Sequence, residues 1–174
     1  MENKDKKIIL FVCKGNIHRS AIAEQVLKKI LKKNRLDDKI EVISRGIQGS
    51  VYSKPILFKN ITQYAKVWEA VKPSLDEFDV DITKHKAKPI TKEIADKANV
   101  IITFDKVIFS GHEDALIRQF PYLQPKIHFL SEFEESKEEI LDCEGMNLEQ
   151  HRKITKKIFD ILNQHWEKIV KYIT

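Results

Sequence analysis

One stretch constrains this chain more than any other: Phe11-Val12-Cys13-Lys14-Gly15-Asn16-Ile17-His18-Arg19-Ser20. An apolar run from Ile8 to Val12 delivers a cysteine at its end, and from Arg19 onward Ile22, Ala23, Val26, Leu27, Ile30 and Leu31 recur at helical spacing. The pattern predicts strand, tight loop, helix. A loop so placed aims backbone N–H groups, and the positive end of the following helix, at whatever enters its bowl, so its expected occupant is phosphate or a similar oxyanion. The residues Lys14, Gly15, Asn16, Ile17 and His18 wrap that oxyanion, while the Arg19 guanidinium grips two of its oxygens. Helix end, Arg19 and the Ser20 hydroxyl all favour thiolate over thiol at Cys13, and a thiolate is a nucleophile. Gly15 and Asn16 are the residue types that best tolerate left-handed backbone angles, which a loop turning its amides inward requires. The competing reading is a buried cysteine followed by an ordinary polar turn. Cys, Gly-Asn, Arg and Ser together at these spacings weigh against it.

The segment Val12 to Ser20 resembles the V-C-x-G-N-x-x-R-S signature of the low-molecular-weight protein tyrosine phosphatases, a loop shared by their arsenate-reductase relatives, and the likeness continues through Ala23-Glu24. The resemblance implies a metal-independent phosphocysteine mechanism with no cofactor, Cys13 as nucleophile and Arg19 as phosphate clamp. It also implies that Asn16 and Ser20 shape the loop, that Ser44 and His85 support the asparagine, and that Asp142 is the general acid. Tyr52 lies near where the family carries an aromatic wall for the substrate ring. The departures are equally specific. Cys143 stands where the family has proline after its acid, no tyrosines follow, and His18 occupies the place of a second loop cysteine, so no disulfide can form within the loop.

A length of 174 residues suits one domain with a sizeable core. We therefore expect a single domain over residues 1–174, with an insertion-like segment at about 47–68. Two cysteines make no disulfide framework, and no signal-type apolar region or ~18-residue apolar span is present, which points to a reducing cytoplasm and no membrane partner. The net charge of +5 comes from 31 basic against 26 acidic residues, part of it Lys28, Lys29, Lys32, Lys33 and Arg35 on the first helix. We take these as a solvated face rather than a nucleic-acid surface.

Along the chain, strands are expected at about Lys7 to Val12, Lys39 to Ser44, Asn99 to Phe104 and Lys126 to Leu130. Helices are expected from Arg19 to near Asn34, from Phe58 to Val71 with Ile61, Tyr64, Ala65 and Trp68 on its packed face, from Lys92 to Ala98 behind a Thr91 cap, and from Glu113 to Phe120. Asn147 caps a last long helix whose Ile154, Ile158, Ile161, Leu162, Trp166, Ile169 and Val170 close the core. Asp105, at the carboxyl end of the third strand, lies near the ligand crevice in a structural role. His112 and His128 show no ligand spacing with the cysteines, so no metal is assigned.

The fold class is α/β: a four-stranded parallel sheet with helices on both faces, the strand order 2-1-3-4 being carried by the resemblance. The expected function is hydrolysis of phosphomonoesters, foremost protein phosphotyrosine. Two alternatives use the same loop. An arsenate reductase needs relay thiols, of which Cys143 is the one spare, and a phosphate-binding module needs no positioned acid. Glu144 and Asp105 are the competing acids.

Overall fold

The computed structural model describes residues 6–143 and 145–174. The charged start at Met1 to Asp5 and the competing acid Glu144 lie outside these residues. β1, Lys7–Cys13, is buried from Ile9 onward and forms the middle of the sheet. It pairs in parallel with β2, Ile40–Gly46, on one side and β3, Val100–Thr103, on the other. β4, Ile127–Phe129, completes the order 2-1-3-4 beside β3, in agreement with the expected topology. A near-continuous apolar run suits a strand covered on both faces, which is why β1 and β3 carry almost no polar residue. The register sets Cys13 opposite Gly46 and Val12 opposite Thr103, so the carboxyl ends of β1, β2 and β3 open together at one edge.

α1, Arg19–Lys33, buries Ile22, Ala23, Val26, Leu27, Ile30 and Leu31, and leaves Lys28, Lys29, Lys32 and Lys33 exposed. α1 packs on the last helix, which we number α5, Leu148–Val170. Asn147 and Gln150 cap α5 reciprocally, and Ile154, Ile158, Ile161, Leu162 and Ile169 form its buried stripe. Among the described residues, no helix is long and apolar enough to cross a membrane.

Two helices differ from expectation. The helix expected from Phe58 is a 3-10 turn, Ile61–Gln63, followed by α2, Ala65–Glu77, which packs on α5. Asn60 is extended, and its side chain accepts from Thr62 N while donating to the carbonyls of Ile82, Thr83 and His85, so no helix can run through it. Beyond Val71 the helix continues through Pro73, which sits on the exposed side where water can satisfy the carbonyl left without an N–H. Of the expected face Ile61 is fully buried and Trp68 packs against the core, whereas Ala65 is exposed and Val71, Ser74 and Leu75 carry the burial of α2. Between these elements and β4 lie α3, Lys92–Lys97, capped by Thr91, and α4, Leu116–Gln119. α4 is one turn rather than the expected run from Glu113, and a π-helical turn, Val107–Gly111, precedes it.

Asp114 explains the shortening. Its buried carboxylate accepts from the amides of Tyr52 at 2.7 Å, Ser53 at 2.9 Å and Val51 at 3.4 Å and from the Ser53 hydroxyl, so the side chain serves the 48–55 loop instead of a helix turn. Burial pushes its pKa up, but the Ser53 hydroxyl and the three amides outweigh burial and hold it below the ordinary carboxylate value. Asp114→Asn points an N–H at these donors and should destabilise the fold by about 1–3 kcal/mol at pH 7, read by urea unfolding. A carboxyl depressed in the native state contributes stability above its unfolded pKa. The deficit of the variant should therefore shrink as pH falls through ~3.9 toward the lower native value.

Candidate active site

Asn16 organises the loop between β1 and α1. It alone there adopts the left-handed conformation, with φ 59°, whereas Gly15 does not, so the expectation that both turn left-handed is corrected. Gly15 instead lines the cleft, where a Cβ would stand 3.3 Å from Ile56 Cγ2. The Asn16 amide donates to Cys13 Sγ at 3.2 Å. Its side-chain nitrogen donates to Ser20 Oγ and Ser44 Oγ, each at 2.9 Å, while Oδ1 accepts from Lys88 N at 3.0 Å. His85 Nε2 lies 2.7 Å from the Asn16 carbonyl. A carbonyl only accepts, so Nε2 carries the proton. Burial outweighs the Asn16 carbonyl and Glu24 in lowering the His85 pKa, which leaves the ring neutral at pH 7. Ser44 in turn donates to Glu24, which is paired with Lys28.

Cys13 Sγ is 3.0 Å from the Ser20 hydroxyl as well, so two polar hydrogens can face the sulfur. The loop rests directly on the end of β2. Ile47 N and Gln48 N donate to the carbonyls of Cys13 and Lys14, and a Cβ on Gly46 would come within 2.8 Å of the Lys14 oxygen. Only glycine fits there.

Arg19 shares the cleft with the Cys13 sulfur and is 2% exposed. Its Nη1 donates to Asp105 Oδ2 at 2.6 Å and to the Ile140 carbonyl at 2.8 Å, and Nη2 stands 3.6 Å from Asp142 Oδ1. Burial disfavours its charge, but Cys13, Asp142 and Asp105 outweigh burial and raise the Arg19 pKa. Asp105 is itself buried and fixed by the Ile108 amide at 2.9 Å.

Cys13, Lys14, Gly15, Ile17, His18, Arg19, Asp142 and Cys143 share one cleft of about 340 Å³, whose remaining wall is Gln48, Ile56, Leu57, Tyr64 and Val67. Asn16, by contrast, is fully buried and supports the loop from behind the bowl. Asp142 is 41% exposed, and its Oδ1 accepts from Cys143 N at 2.9 Å. Tyr52 is not on the wall. Its amide is tied to Asp114 and the residue is 76% exposed, which corrects its assignment to substrate binding; Tyr64 supplies the aromatic surface. His18 makes its side-chain contact with Cys143, Nδ1 to Sγ at 3.0 Å. Burial, with His151 and Arg19 adding to it, lowers the His18 pKa to about 3, and burial with Asp142 pushes the Cys143 thiol up to about 12.

Residues 8–174 match the family model described as "Low molecular weight phosphotyrosine protein phosphatase". The chain belongs to this family. A structure of the low-molecular-weight protein tyrosine phosphatase from T. tengcongensis superposes with a TM-score of 0.70 at 26% identity, covering 94% of this chain and 99% of the other. The protein-arginine-phosphatase of Bacillus subtilis is 26% identical over 165 residues, 94% of this chain and 97% of the relative. Arsenate reductase 1 of Bacillus cereus is 31% identical over 129 residues, 74% of this chain and 76% of the relative.

Within this phosphatase-family site, sequence reasoning missed what holds the guanidinium. Asp105 was placed nearby without a partner, and the Ile140 carbonyl carries no residue-type signal at all. Glu24 is visible beside the motif without its contacts, and nothing in the motif points to Gly46. Removing the Asn16 side chain tests the network. Asn16→Gly keeps the left-handed conformation accessible yet deletes three side-chain bonds, and should cost about 2–4 kcal/mol of stability and at least ~10-fold in kcat on p-nitrophenyl phosphate. Near-wild-type behaviour would assign the role of Asn16 to backbone conformation alone.

Proposed function

We propose that this phosphatase-family chain hydrolyses aryl phosphomonoesters, foremost phosphotyrosine on proteins, through a phosphocysteine intermediate. The observation that carries the reading is the convergence of Cys13, Arg19 and Asp142 on one cleft, with Arg19 Nη2 3.6 Å from Asp142 Oδ1. In the first step the Cys13 sulfur attacks phosphorus, the P–O bond to the leaving group breaks, and Asp142 gives that oxygen a proton. In the second, Asp142 takes a proton from water as its oxygen attacks phosphorus, and the S–P bond breaks to release phosphate. Arg19 and the amides from Lys14 to Arg19 stabilise the equatorial oxygens. Ser20 and Asn16 direct hydrogens at the sulfur, with Ser44 and His85 holding Asn16 in place.

The cleft wall argues for an aryl leaving group. Ile56, Leu57, Tyr64 and Val67 offer apolar and aromatic surface, which suits a phenol ring better than a phosphorylated guanidinium. All four belong to the segment at about 47–68, which we propose as an insertion that builds the substrate rim. Arsenate reduction fits less well, because Cys143, the one thiol besides Cys13, keeps its proton with a pKa near 12 and faces His18. A pure binding module would not need the Asp142 carboxyl in the cleft. Two free thiols agree with a cytoplasmic setting.

Cys13→Ser should retain less than ~1% of kcat while still binding phosphate. Asp142→Ala should lose ~100- to 1,000-fold on phosphotyrosine, less on p-nitrophenyl phosphate, with thermal stability almost unchanged. Asp105→Ala should instead destabilise by about 3–5 kcal/mol, since it strands a buried cation. If Asp105→Ala removes turnover without loss of stability and Asp142→Ala is silent, the acid is misassigned. For the substrate, kcat/KM on a phosphotyrosine peptide should exceed that on a phosphoarginine peptide by at least ~10-fold. The reverse ratio would overturn the aryl preference and leave the phosphatase chemistry standing.

A further inference from the structure

Beside the reacting groups, three side chains come together from three parts of the chain: His18 from the phosphate loop, Cys143 from the residue after Asp142, and His151 from the first turns of α5. Each offers one donor atom, the three atoms lie within 4.8 Å of one another, and all three residues are buried. The Cys143 sulfur already faces His18 Nδ1 at 3.0 Å, and the two imidazoles meet edge to face with centroids 5.5 Å apart. Among the described residues, His18 Nε2 and His151 Nδ1 have no hydrogen-bond partner. A buried polar atom without a partner costs about 1–3 kcal/mol and is uncommon in a native fold. Here the unpartnered His151 Nδ1 belongs to the same cluster as a thiol and a second imidazole, whose Nδ1 already touches that thiol. That combination is a donor set rather than a packing accident.

We propose that His18, Cys143 and His151 bind a zinc-class divalent cation, which clips the acid loop to the phosphate loop and to α5. One sulfur and two imidazole nitrogens match a borderline-soft ion, and the absence of an oxygen donor from the trio argues against calcium or magnesium. Bonds of ~2.3 Å to sulfur and ~2.0 Å to nitrogen, at tetrahedral angles, put ligand atoms roughly 3.3–3.7 Å apart, within the spread the cluster already has. The Cys143–His18 contact needs to open by about half an ångström as the metal replaces the proton between them. On binding, the Cys143 S–H bond breaks, its proton goes to solvent, a sulfur–metal bond forms, and each imidazole coordinates through a lone pair. No electrons are transferred. Three protein ligands leave a fourth position for water.

The site is separable from Cys13, which makes it testable. Zinc chloride alone, titrated calorimetrically into the EDTA-stripped and dialysed full chain carrying Cys13→Ser, should bind with one equivalent per chain. Cys143→Ala and His151→Ala, each added to that background, should weaken binding at least ~10-fold. Cobalt chloride should give a sulfur-to-cobalt charge-transfer band in the Cys13→Ser chain that vanishes with Cys143→Ala. Zinc should also raise the melting temperature of the Cys13→Ser chain, because only the folded state assembles the three ligands. Loss of zinc binding in Cys13→Ser, or binding that survives both added substitutions, overturns the assignment. Should either added substitution prevent folding, the cobalt spectrum of the Cys13→Ser chain still decides, since a spectrum without the sulfur band excludes Cys143 as a ligand.

Discussion

The site depends on one residue having every polar atom satisfied. Asn16 takes a left-handed turn and then bonds to the end of β1 through sulfur, to α1 through Ser20, to β2 through Ser44, and to the 85–88 segment through His85 and Lys88. Each bond is worth only about 0.5–1.5 kcal/mol net, yet a buried group left unpaired costs more than its bond contributes. The network therefore holds as a unit or not at all. Gly46 completes it from below, since the loop lies against the β2 backbone at a distance no side chain allows. On the proposed mechanism, a loop fixed in this way is set before any substrate enters, which is the condition for electrostatic stabilisation without reorganisation during the reaction.

The second constraint is a cation in the interior. Arg19 at 2% exposure faces a desolvation penalty of several kcal/mol, and a single ion pair seldom offsets that in full. It has more than one: Asp105 at 2.6 Å, the Ile140 carbonyl at 2.8 Å and the Asp142 carboxylate at 3.6 Å, besides the face of the Phe104 ring. Nη1 makes both short contacts. Nη2 is directed toward the Asp142 side of the cleft, so the buried partner fixes the plane of the fork and leaves its other edge for an oxyanion.

How far the sequence could carry this follows from what each feature depends on. The loop, α1 and the Asn147 cap were legible because each rests on local spacing or on a nearly contiguous motif, and the strand order came with the family resemblance that the motif carries. The helix expected from Phe58 was not, because Asn60 spends its side chain on carbonyls at Ile82, Thr83 and His85, partners more than twenty residues away. Asp114 hides a helix start in the same manner, by serving a loop some sixty residues earlier. Tyr52 was chosen for its chemistry and its sequence position, and its backbone tether to Asp114 turns the ring outward, so that Tyr64 lines the cleft instead. The Ile140 carbonyl illustrates the limit, since any residue could supply it.

The acid loop shows how contacts can take over from covalent stiffness. Where the resembling family uses proline after its acid, this chain has Cys143, whose amide is free to donate, and it donates to Asp142 Oδ1 at 2.9 Å. Proline could not make that bond. On the upstream side Ile140 is held twice, its N–H by the Phe104 carbonyl at 3.0 Å and its own carbonyl by Arg19, while downstream the Cys143 sulfur is held by His18. Asp142 thus hangs between two anchored points, with Oδ1 engaged by its neighbour's amide and facing Arg19. On the proposed mechanism this leaves Oδ2 to carry the proton, and it makes the precision of proton delivery depend on two anchors that both trace back to the phosphate loop. On that mechanism the residue that holds the transferring group and the residue that steadies the acid's neighbour would be adjacent in sequence, Arg19 and His18, so a shift in that loop would move Cys13, Arg19 and Asp142 together.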